Sequence, residues 1–482
     1  MNDAVDPPGV RAGDSPDLPV LTELPPELLG CVASASGGLL GIVTGAGSSM
    51  EWPTGLKSGA DYSELAFAAL VEDRLLLPDA CTNPRDLSEL ADVVFDQYNS
   101  QVHLTDRLPR NAWRNASPNE GHRIAAALLI DGVIRSVVTL NYDLAFQTAL
   151  SELGAPGQVT VAKGPEDHAR LSGRSLIYLH RSAESEPNTW VLRKADLDHG
   201  WEDGWEAMTA AGALSAPFTV FAGLGSPAAV LTDTVRRLAG LGSTYFLADP
   251  YPGGAFELAL KDHLSAVLHM GWIALMQKLS VRASAAHAKE LEMAARTRAV
   301  AVGIASDGTE TLFGLMAGMG IVRLGELRSA WLLHASRYCP RQGEAQADQL
   351  SDLVLALNSA AQTLDADLEI GDGGECRMLL RDSQRSITVQ CAHAMGLHNS
   401  AAVRSRLEMR DAHRVGSTQP KVVIAAGLVP DAQNALPPDL VEGEGDSQDL
   451  VRGPDSVLVV NTMEITGSLL GDRDRLLERL AS

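Results

Sequence analysis

The chain has 482 residues, which suggests roughly two to four domains of ordinary size. Hydrophobic residues make up 45% and charged residues 21% of the chain, values typical of globular proteins that exclude wholesale disorder and fibrous classes. Acidic residues outnumber basic ones by 61 to 39, and a net charge of −22 has the wrong sign for binding nucleic-acid phosphates directly.

The first 29 residues are predicted to form a disordered lead-in. They begin with acidic residues and prolines, where a signal peptide needs a basic start and an apolar run. The uncharged stretches 28–50 and 207–231 are long enough to cross a bilayer, but glycine, serine, threonine or proline residues interrupt them. The sequence therefore predicts neither a secretory leader nor a membrane helix.

The 5 cysteines are far apart, and no two of them form the C-x-x-C pair of a zinc site or a redox couple. No zinc is therefore expected. Cysteines used in this way fit a reducing compartment, and we expect a cytoplasmic protein.

Between about residues 30 and 250, short apolar runs alternate with amphipathic runs, which is typical of a doubly wound parallel sheet. A helix ending at Asp131 is predicted to begin at an N-cap formed by Ser117. The pattern from Gly254 to Ala299 is continuously helical. The predicted strands are Leu39–Thr44, Ser136–Leu140, Ser175–Leu179, Phe218–Ala222 and Tyr245–Ala248. Residues 30–290 are thus predicted to be one Rossmann-like α/β domain.

The remainder, residues 291–482, is predicted to be a separate helical plus α+β module. Residues 300–360 are mainly helical in pattern, and an acidic stretch rich in glycine and proline lies around 431–456. Strand-like runs occur at Ser386–Val389, Lys421–Ala425 and Ser456–Val460. Because the module carries no recognisable catalytic set, we expect it to regulate or assemble the protein.

A turn of small residues, Gly45-Ala46-Gly47-Ser48, follows the first predicted strand. Small residues let backbone N–H groups approach a phosphate, and the start of a following helix favours negative charge. The turn is neither G-x-G-x-x-G nor a P-loop, so a purely structural turn is the alternative interpretation.

Polar residues also follow two later strands, at the edge where open α/β sheets bind ligands. Asn141 and Asp143 come after one strand, and His180 comes after the next. An imidazole titrates near neutral pH and can accept a proton from a hydroxyl or a water. The alternatives are a helix cap for Asn141 and Asp143 and a structural role for His180.

In order and spacing, these motifs resemble the SIR2-like domain of bacterial NAD-degrading anti-phage defence proteins. The set comprises GAGSS, then H-x-x-A-x-x-L beginning at His122, then VVTLNYD, YLH and FAGLGS. The resemblance covers about residues 30–285 and implies a Rossmann-like NAD-binding domain.

The resemblance assigns Asn141 and His180 as the catalytic pair. It implies that Asp143 holds the nicotinamide-ribose end of NAD, that Asp249 lies at the adenosine end, and that His122 is structural. Arg181 stands where the family often has glycine. The further NAD-binding residues that it implies are Gly45, Ala46, Gly47, Ser48, Gly223, Gly225 and Ser226.

The function implied is that of an NAD⁺ hydrolase, which cleaves NAD⁺ to nicotinamide and ADP-ribose without a metal. It would be the effector of an abortive-infection type of defence, as a homo-oligomer or in complex with a partner defence protein. One alternative is a sensor or assembly module that binds NAD or a related nucleotide without turnover. Another is an NAD-dependent deacylase, which the lack of a four-cysteine zinc module disfavours.

Overall fold

The structure is a computed structural model of the 482-residue chain. It describes residues 18–34, 37–155, 157–171, 173–194, 196–197, 204–305, 308–334, 336–341, 344–393, 403, 406–407, 422–427 and 457–481. The acidic stretch that the sequence predicts around 431–456 lies outside the described residues, as do residues 1–17.

The N-terminal part of the chain is an α/β unit. In chain order its elements are β1 (Val20–Leu21), α1 (Pro26–Ala33), β2 (Leu40–Thr44), α2 (Gly47–Met50), α3 (Gly59–Glu72), α4 (Leu87–Tyr98), α5 (Val102–Thr105), α6 (Arg110–Arg114), α7 (Glu120–Ile130), β3 (Ile134–Thr139), α8 (Ala145–Glu152), β4 (Thr160–Ala162), β5 (Ser175–Tyr178), α9 (Trp205–Leu214), β6 (Phe218–Ala222), α10 (Ala229–Leu238), β7 (Thr244–Ala248), α11 (Ala255–Leu260), β8 (Ala266–Leu268) and α12 (Trp272–Val302). Short 3₁₀ turns lie at Pro165–Arg170 and Pro187–Thr189.

Helices and a second sheet make up the C-terminal part. Its elements are α13 (Thr309–Gly318), α14 (Ile321–Trp331), α15 (Glu344–Leu364), β9 (Ala366–Ile370), β10 (Glu375–Leu380), β11 (Ser386–His393), β12 (Val422–Ala426), β13 (Leu458–Asn461), α16 (Thr462–Thr466) and α17 (Arg473–Ala481), with a 3₁₀ turn at Asp372–Gly374.

The first eight strands form one parallel sheet in the order β1-β8-β7-β6-β2-β3-β5-β4. Strand β2 pairs with β3 on one side and with β6 on the other. The strand order reverses beside β2, and open α/β sheets bind ligands at the carboxyl ends of the strands at such a point. The predicted Rossmann-like α/β class is therefore confirmed, together with a second sheet in the C-terminal part.

Alternate residues of each central strand belong to different hydrophobic cores. Ile42 and Val137 pack beneath α7, α8 and α12, whereas Val43 and Val138 pack on the opposite face with α9 and α10. A strand covered by helices on both faces has no solvent side, so it is apolar throughout rather than alternating. This burial explains why the sequence predicts these strands well.

Four helices inserted between β2 and β3, α3 to α6, pack around a core of their own. Leu70, Leu90 and Trp113 are buried there, and Trp190, from the segment after β5, joins them. The sequence analysis does not predict this helical insertion. In the structure, this insertion lies beside the carboxyl ends of β3 and β5.

The predicted lead-in and the predicted long helix both need correction. Residues 18–29 are not part of a disordered lead-in, because β1 pairs with β8, and Leu28 of α1 is fully buried in the first core. The pattern from Gly254 to Ala299 is not continuously helical, because residues 266–268 form β8 at the sheet. A buried strand of three residues cannot be distinguished from one turn of a helix by periodicity alone.

The second sheet has the order β13-β12-β11-β10-β9, with β9 to β11 antiparallel and β11 to β13 parallel. Helix α12 connects the two parts of the chain, since Leu279 packs in the first core and Leu291 in the C-terminal core. The domain boundary predicted near residue 290 falls inside this continuous helix.

In the part of the chain that the structure describes, no helix is both long and apolar enough to cross a membrane.

Candidate functional site

Five loops meet at the carboxyl edge of the parallel sheet, on five neighbouring strands. Gly45 follows β2, Asn141 follows β3, His180 follows β5, Gly223 follows β6 and Asp249 follows β7. In the order β7-β6-β2-β3-β5 they span four strand spacings, about 19 Å. The fold thus brings the residues predicted from separate motifs to one edge.

The glycine turn after β2 packs backbone to backbone against the turn after β6. Gly47 N–H donates to the Gly223 carbonyl at 2.9 Å, and a Cβ on Gly45 would lie 2.6 Å from the same oxygen. Gly223 has φ +66°, and a Cβ there would lie 2.5 Å from the Ser48 nitrogen. Glycine is therefore required at these positions by close packing, whether or not a ligand binds.

The helix expected after this turn is only one turn long. Helix α2 covers only Gly47–Met50, so its dipole is small and favours a phosphate less than the sequence analysis expects. The small residues still keep the backbone of residues 45–49 free of bulky side chains. Gly45, Ala46, Gly47 and Ser48 remain predicted contacts for NAD on that basis.

Asn141 is half-buried, and its carboxamide is oriented by the glycine turn. Its Nδ2 donates to the Gly45 carbonyl at 3.0 Å and lies 3.1 Å from the Ser49 hydroxyl and 3.3 Å from the Ser48 hydroxyl. The donor end of the amide therefore faces the chain's own acceptors. Its oxygen is the end that remains to accept a hydrogen bond from a ligand hydroxyl or a water.

Asp143 is 4% exposed, and both of its oxygens accept hydrogen bonds from the chain. One accepts from the Ser49 hydroxyl at 2.8 Å and the other from the Ala145 N–H at 3.0 Å, at the start of α8. Burial raises the pKa of this carboxyl, although these hydrogen bonds oppose the shift. Asp143 thus accepts from the first residue of α8 without being its N-cap, which is Leu144, and a ligand contact that uses the remaining lone pairs stays a prediction.

His180 lies next to the Asn141 segment because β3 and β5 are neighbours. Thr139 pairs with Tyr178, so Asn141 and His180 each stand two residues beyond paired strand ends. The Ala183 N–H donates to the Tyr142 carbonyl at 2.7 Å, which joins the two loops beyond the sheet. The predicted catalytic pair is therefore placed on adjoining loops.

The pKa of His180 is lowered to about 4, chiefly because burial disfavours the charged imidazolium and secondarily because Arg181 is positive. His180 is consequently neutral at pH 7. A neutral imidazole has one ring nitrogen that can accept a proton, as a general base requires.

Arg181, the residue after His180, adopts φ +80°. This left-handed conformation favours glycine. Here the side chain makes an ion pair with Glu206 at 3.0 Å and lies over the ring of Trp205. The arginine therefore keeps the glycine-like turn after His180 and ties it to α9.

The loops after β6 and β7 are more open. Gly225 and Ser226 are exposed, and Asp249 is half-buried. Asp249 accepts a hydrogen bond from the Tyr251 N–H at 2.7 Å, so it shapes its own turn. Their contacts with NAD remain predictions.

Asn119, which the sequence analysis does not single out, is buried beneath the glycine turn. It is the N-cap of α7, so the predicted cap at Ser117 is wrong, and helix α7 begins at Glu120. Asn119 Nδ2 donates to the Ser48 carbonyl at 2.8 Å. The signal available in the sequence is the asparagine itself, one of the strongest N-cap residues, standing three positions before His122.

His122 is fully buried, and its Nδ1 accepts a hydrogen bond from the Asn119 N–H at 3.3 Å. Burial lowers its pKa to about 3. Its ring packs edge-on against Phe146, with ring centroids 4.5 Å apart. It lies in the core and holds the start of α7.

Within the described residues there is no group of three or more histidine, cysteine, aspartate or glutamate side chains that could hold a metal ion. The five cysteines are buried, and none of them is in a disulfide.

No protein-family model and no curated protein matches the chain. Among solved structures, the chain is similar to a Sir2 homologue in complex with NAD, with 19% identity, a TM-score of 0.32, and coverage of 55% of this chain and 95% of the homologue. It is also similar to a Sir2 complex with a p53 peptide and NAD⁺, with 16% identity, a TM-score of 0.32, and coverage of 53% and 96%. With TM-scores this low the likeness carries no argument, and the candidate site rests on the chain's own residues.

Proposed function

We propose that the chain is an NAD⁺ hydrolase that releases nicotinamide and ADP-ribose at the carboxyl edge of the parallel sheet. The observation that carries the proposal is the placement of Asn141 and His180 on adjoining loops, each two residues beyond a paired strand end, with Asn141 hydrogen-bonded to the glycine turn. An acceptor amide and a neutral imidazole in such a position suit a reaction in which water attacks a cationic sugar.

In the proposed reaction the bond between the nicotinamide nitrogen and C1′ of the ribose breaks, and its electron pair stays on the nitrogen. Neutral nicotinamide leaves, and an oxocarbenium-like ribose remains. A water attacks C1′ and transfers its proton to His180, which yields ADP-ribose. The Asn141 oxygen accepts a hydrogen bond from the ribose or from the attacking water.

The other predicted contacts divide between the two ends of the dinucleotide. Asp143 lies on the Asn141 segment, at the nicotinamide-ribose end. The pyrophosphate would lie over the glycine turn and the loop of Gly223, Gly225 and Ser226, at the reversal of strand order. Asp249, two strands away from β2, would face the adenosine end.

The test is incubation of the purified full-length protein with NAD⁺, followed by chromatography of the products. Equal amounts of nicotinamide and ADP-ribose support the hydrolase. Nicotinamide released only in the presence of an acetylated peptide, with an O-acetylated ADP-ribose product, supports the deacylase alternative. NAD binding by calorimetry without any product supports the sensor alternative.

The biological setting proposed with this activity is abortive-infection defence, with the protein in the cytoplasm as a homo-oligomer or bound to a partner defence protein. Residues 291–482 would control activity or assembly. Measurement of cellular NAD in phage-infected bacteria that express the wild type or the His180→Ala variant tests the setting. Light scattering of the purified protein tests the oligomer.

A further inference from the structure

Asn119 is a buried polar side chain that makes hydrogen bonds in two directions. Its Oδ1 accepts from the His122 N–H at 3.1 Å, which caps α7. Its Nδ2 donates to the carbonyl of Ser48 at 2.8 Å and lies 3.4 Å from the carbonyl of Glu51. The cap needs only the oxygen, so the nitrogen is available to serve the glycine-turn segment.

The hydrogen bonds continue from Ser48 to the candidate catalytic residue. The Ser48 hydroxyl donates to the Gly45 carbonyl at 2.8 Å. The same carbonyl accepts from Asn141 Nδ2 at 3.0 Å. Ser49, the next residue, contacts both Asn141 and Asp143. The carbonyl held by Asn119 therefore belongs to the same short segment, residues 45–49, whose groups contact Asn141 and Asp143.

A one-turn helix has little stability of its own, because helix formation begins with a costly nucleus. Helix α2, with four residues, depends on outside contacts for its position. Glu51, the residue that follows α2, accepts a hydrogen bond from the Ile273 N–H at 3.3 Å through its carboxylate. This N–H lies in the first turn of α12, and the N-cap Gly271 has no side chain that could accept it. Asn119 supplies the corresponding anchor at the Ser48 end.

We propose that Asn119 is a positioning residue for the reaction at this site: its amide nitrogen holds Ser48 and thereby sets the orientation of Asn141. The proposal rests on the proposed function for its effect on turnover, and on the hydrogen-bond geometry alone for its effect on the turn.

The decisive variant is Asn119→Asp. An aspartate still accepts from the His122 N–H, so the cap of α7 remains, but it has no donor for Ser48 and sets a negative charge against that carbonyl. The matched control is Asn461→Asp. Asn461 is also an asparagine N-cap with a capping box, at α16 in the C-terminal part, where its oxygen accepts from the Met463 N–H at 3.0 Å.

We expect Asn119→Asp to lower kcat for nicotinamide release by about 10- to 100-fold with little change in KM, because misplacement of a reacting group costs rate more than binding. Asn119→Ser, which also caps but does not reach Ser48, should lower kcat in the same direction without the added charge. Hydrogen exchange should accelerate at residues 47–51 in both variants. Asn461→Asp should leave kcat and this exchange at wild-type values.

Wild-type kcat in both Asn119 variants, or an unchanged exchange rate at residues 47–51, would overturn the proposal. If Asn119→Asp does not fold, Asn119→Ser decides. If the wild type releases no nicotinamide, the hydrolase proposal fails by itself. The exchange experiment then still decides whether Asn119 holds the turn.

Discussion

Arg328 of α14 forms a buried ion pair with Asp131, the residue that ends α7. The guanidinium lies 3.2 Å from the carboxylate, and the two side chains are 4% and 0% exposed. Arg328 Nε also donates to the Cys339 carbonyl at 3.1 Å, and Asp131 accepts from the Arg341 N–H at 3.1 Å. The C-terminal part is thus joined to the C-terminal end of α7. Asn119, the N-cap of the same helix, holds the glycine turn.

Removal of one partner from this pair should destabilise the protein strongly, because the other charge is left buried. We expect Arg328→Ala to lower the free energy of unfolding by about 3–5 kcal/mol. Arg337→Ala, which removes an exposed ion pair with Glu326 at 2.6 Å, should cost about 1 kcal/mol or less. Chemical denaturation of both variants is the measurement. Equal losses of unfolding free energy in the two variants would show that the buried ion pair stabilises the protein no more than the exposed one.

Asn141→Ala and His180→Ala should each abolish nicotinamide release while the protein stays folded, since both lie on loops at the sheet edge. The help of a general base is worth about 10²–10⁴-fold, so a product assay detects even the low end. Asp143→Ala should mainly weaken NAD binding. Cys31→Ala and Cys81→Ala serve as controls, because Cys31 lies in α1 and Cys81 lies between α3 and α4, outside the five loops. A His180→Ala variant with the wild-type rate would remove His180 from the catalytic pair.

Gly223→Ala should disturb NAD binding through the backbone. The added Cβ would lie 2.5 Å from the Ser48 nitrogen, and φ +66° costs an alanine about 1–2 kcal/mol. We expect the affinity for NAD, measured by calorimetry, to fall by about tenfold or more. The control is Gly212→Ala in α9, where a Cβ would meet no described atom within 4 Å. Wild-type affinity in Gly223→Ala would show that this packing does not shape the site.

The pH profile of kcat/KM should be flat from pH 8 down to about pH 5.5. His180 must be neutral to accept a proton, and burial lowers its pKa to about 4, so it stays neutral over this range and becomes protonated only below it. An ordinary histidine would lose half of its activity near pH 6.5, as the imidazole becomes charged. An inflection at that pH would mean that the ring is solvated in the free enzyme.

Treatment with a chelator should leave both the fold and NAD binding intact. The described residues hold no group of three or more metal-ligating side chains, and the proposed reaction uses none. Circular dichroism and calorimetry before and after EDTA are the measurements, with metal analysis of the untreated protein. Stoichiometric zinc, with unfolding on its removal, would contradict the domain assignment.

Much of the α/β unit was readable from sequence because its central strands are buried on both faces. Strand β6 has the predicted bounds Phe218–Ala222, and β2 begins one residue later than predicted. The sequence also predicts that the loop residues after these strands lie at one edge of the sheet, because parallel strands place their carboxyl ends together.

Other features depended on contacts between residues distant in the chain, and no local pattern encodes these. The amide nitrogen of Asn119 meets a carbonyl 71 residues earlier, and Arg328 meets a carboxylate 197 residues earlier. Strand β1 exists because β8 offers it an open sheet edge. The sequence by itself determined the sheet and the residue types at its edge. Tertiary packing alone decided which side chains orient Asn141, because those hydrogen bonds form only after distant segments are brought together.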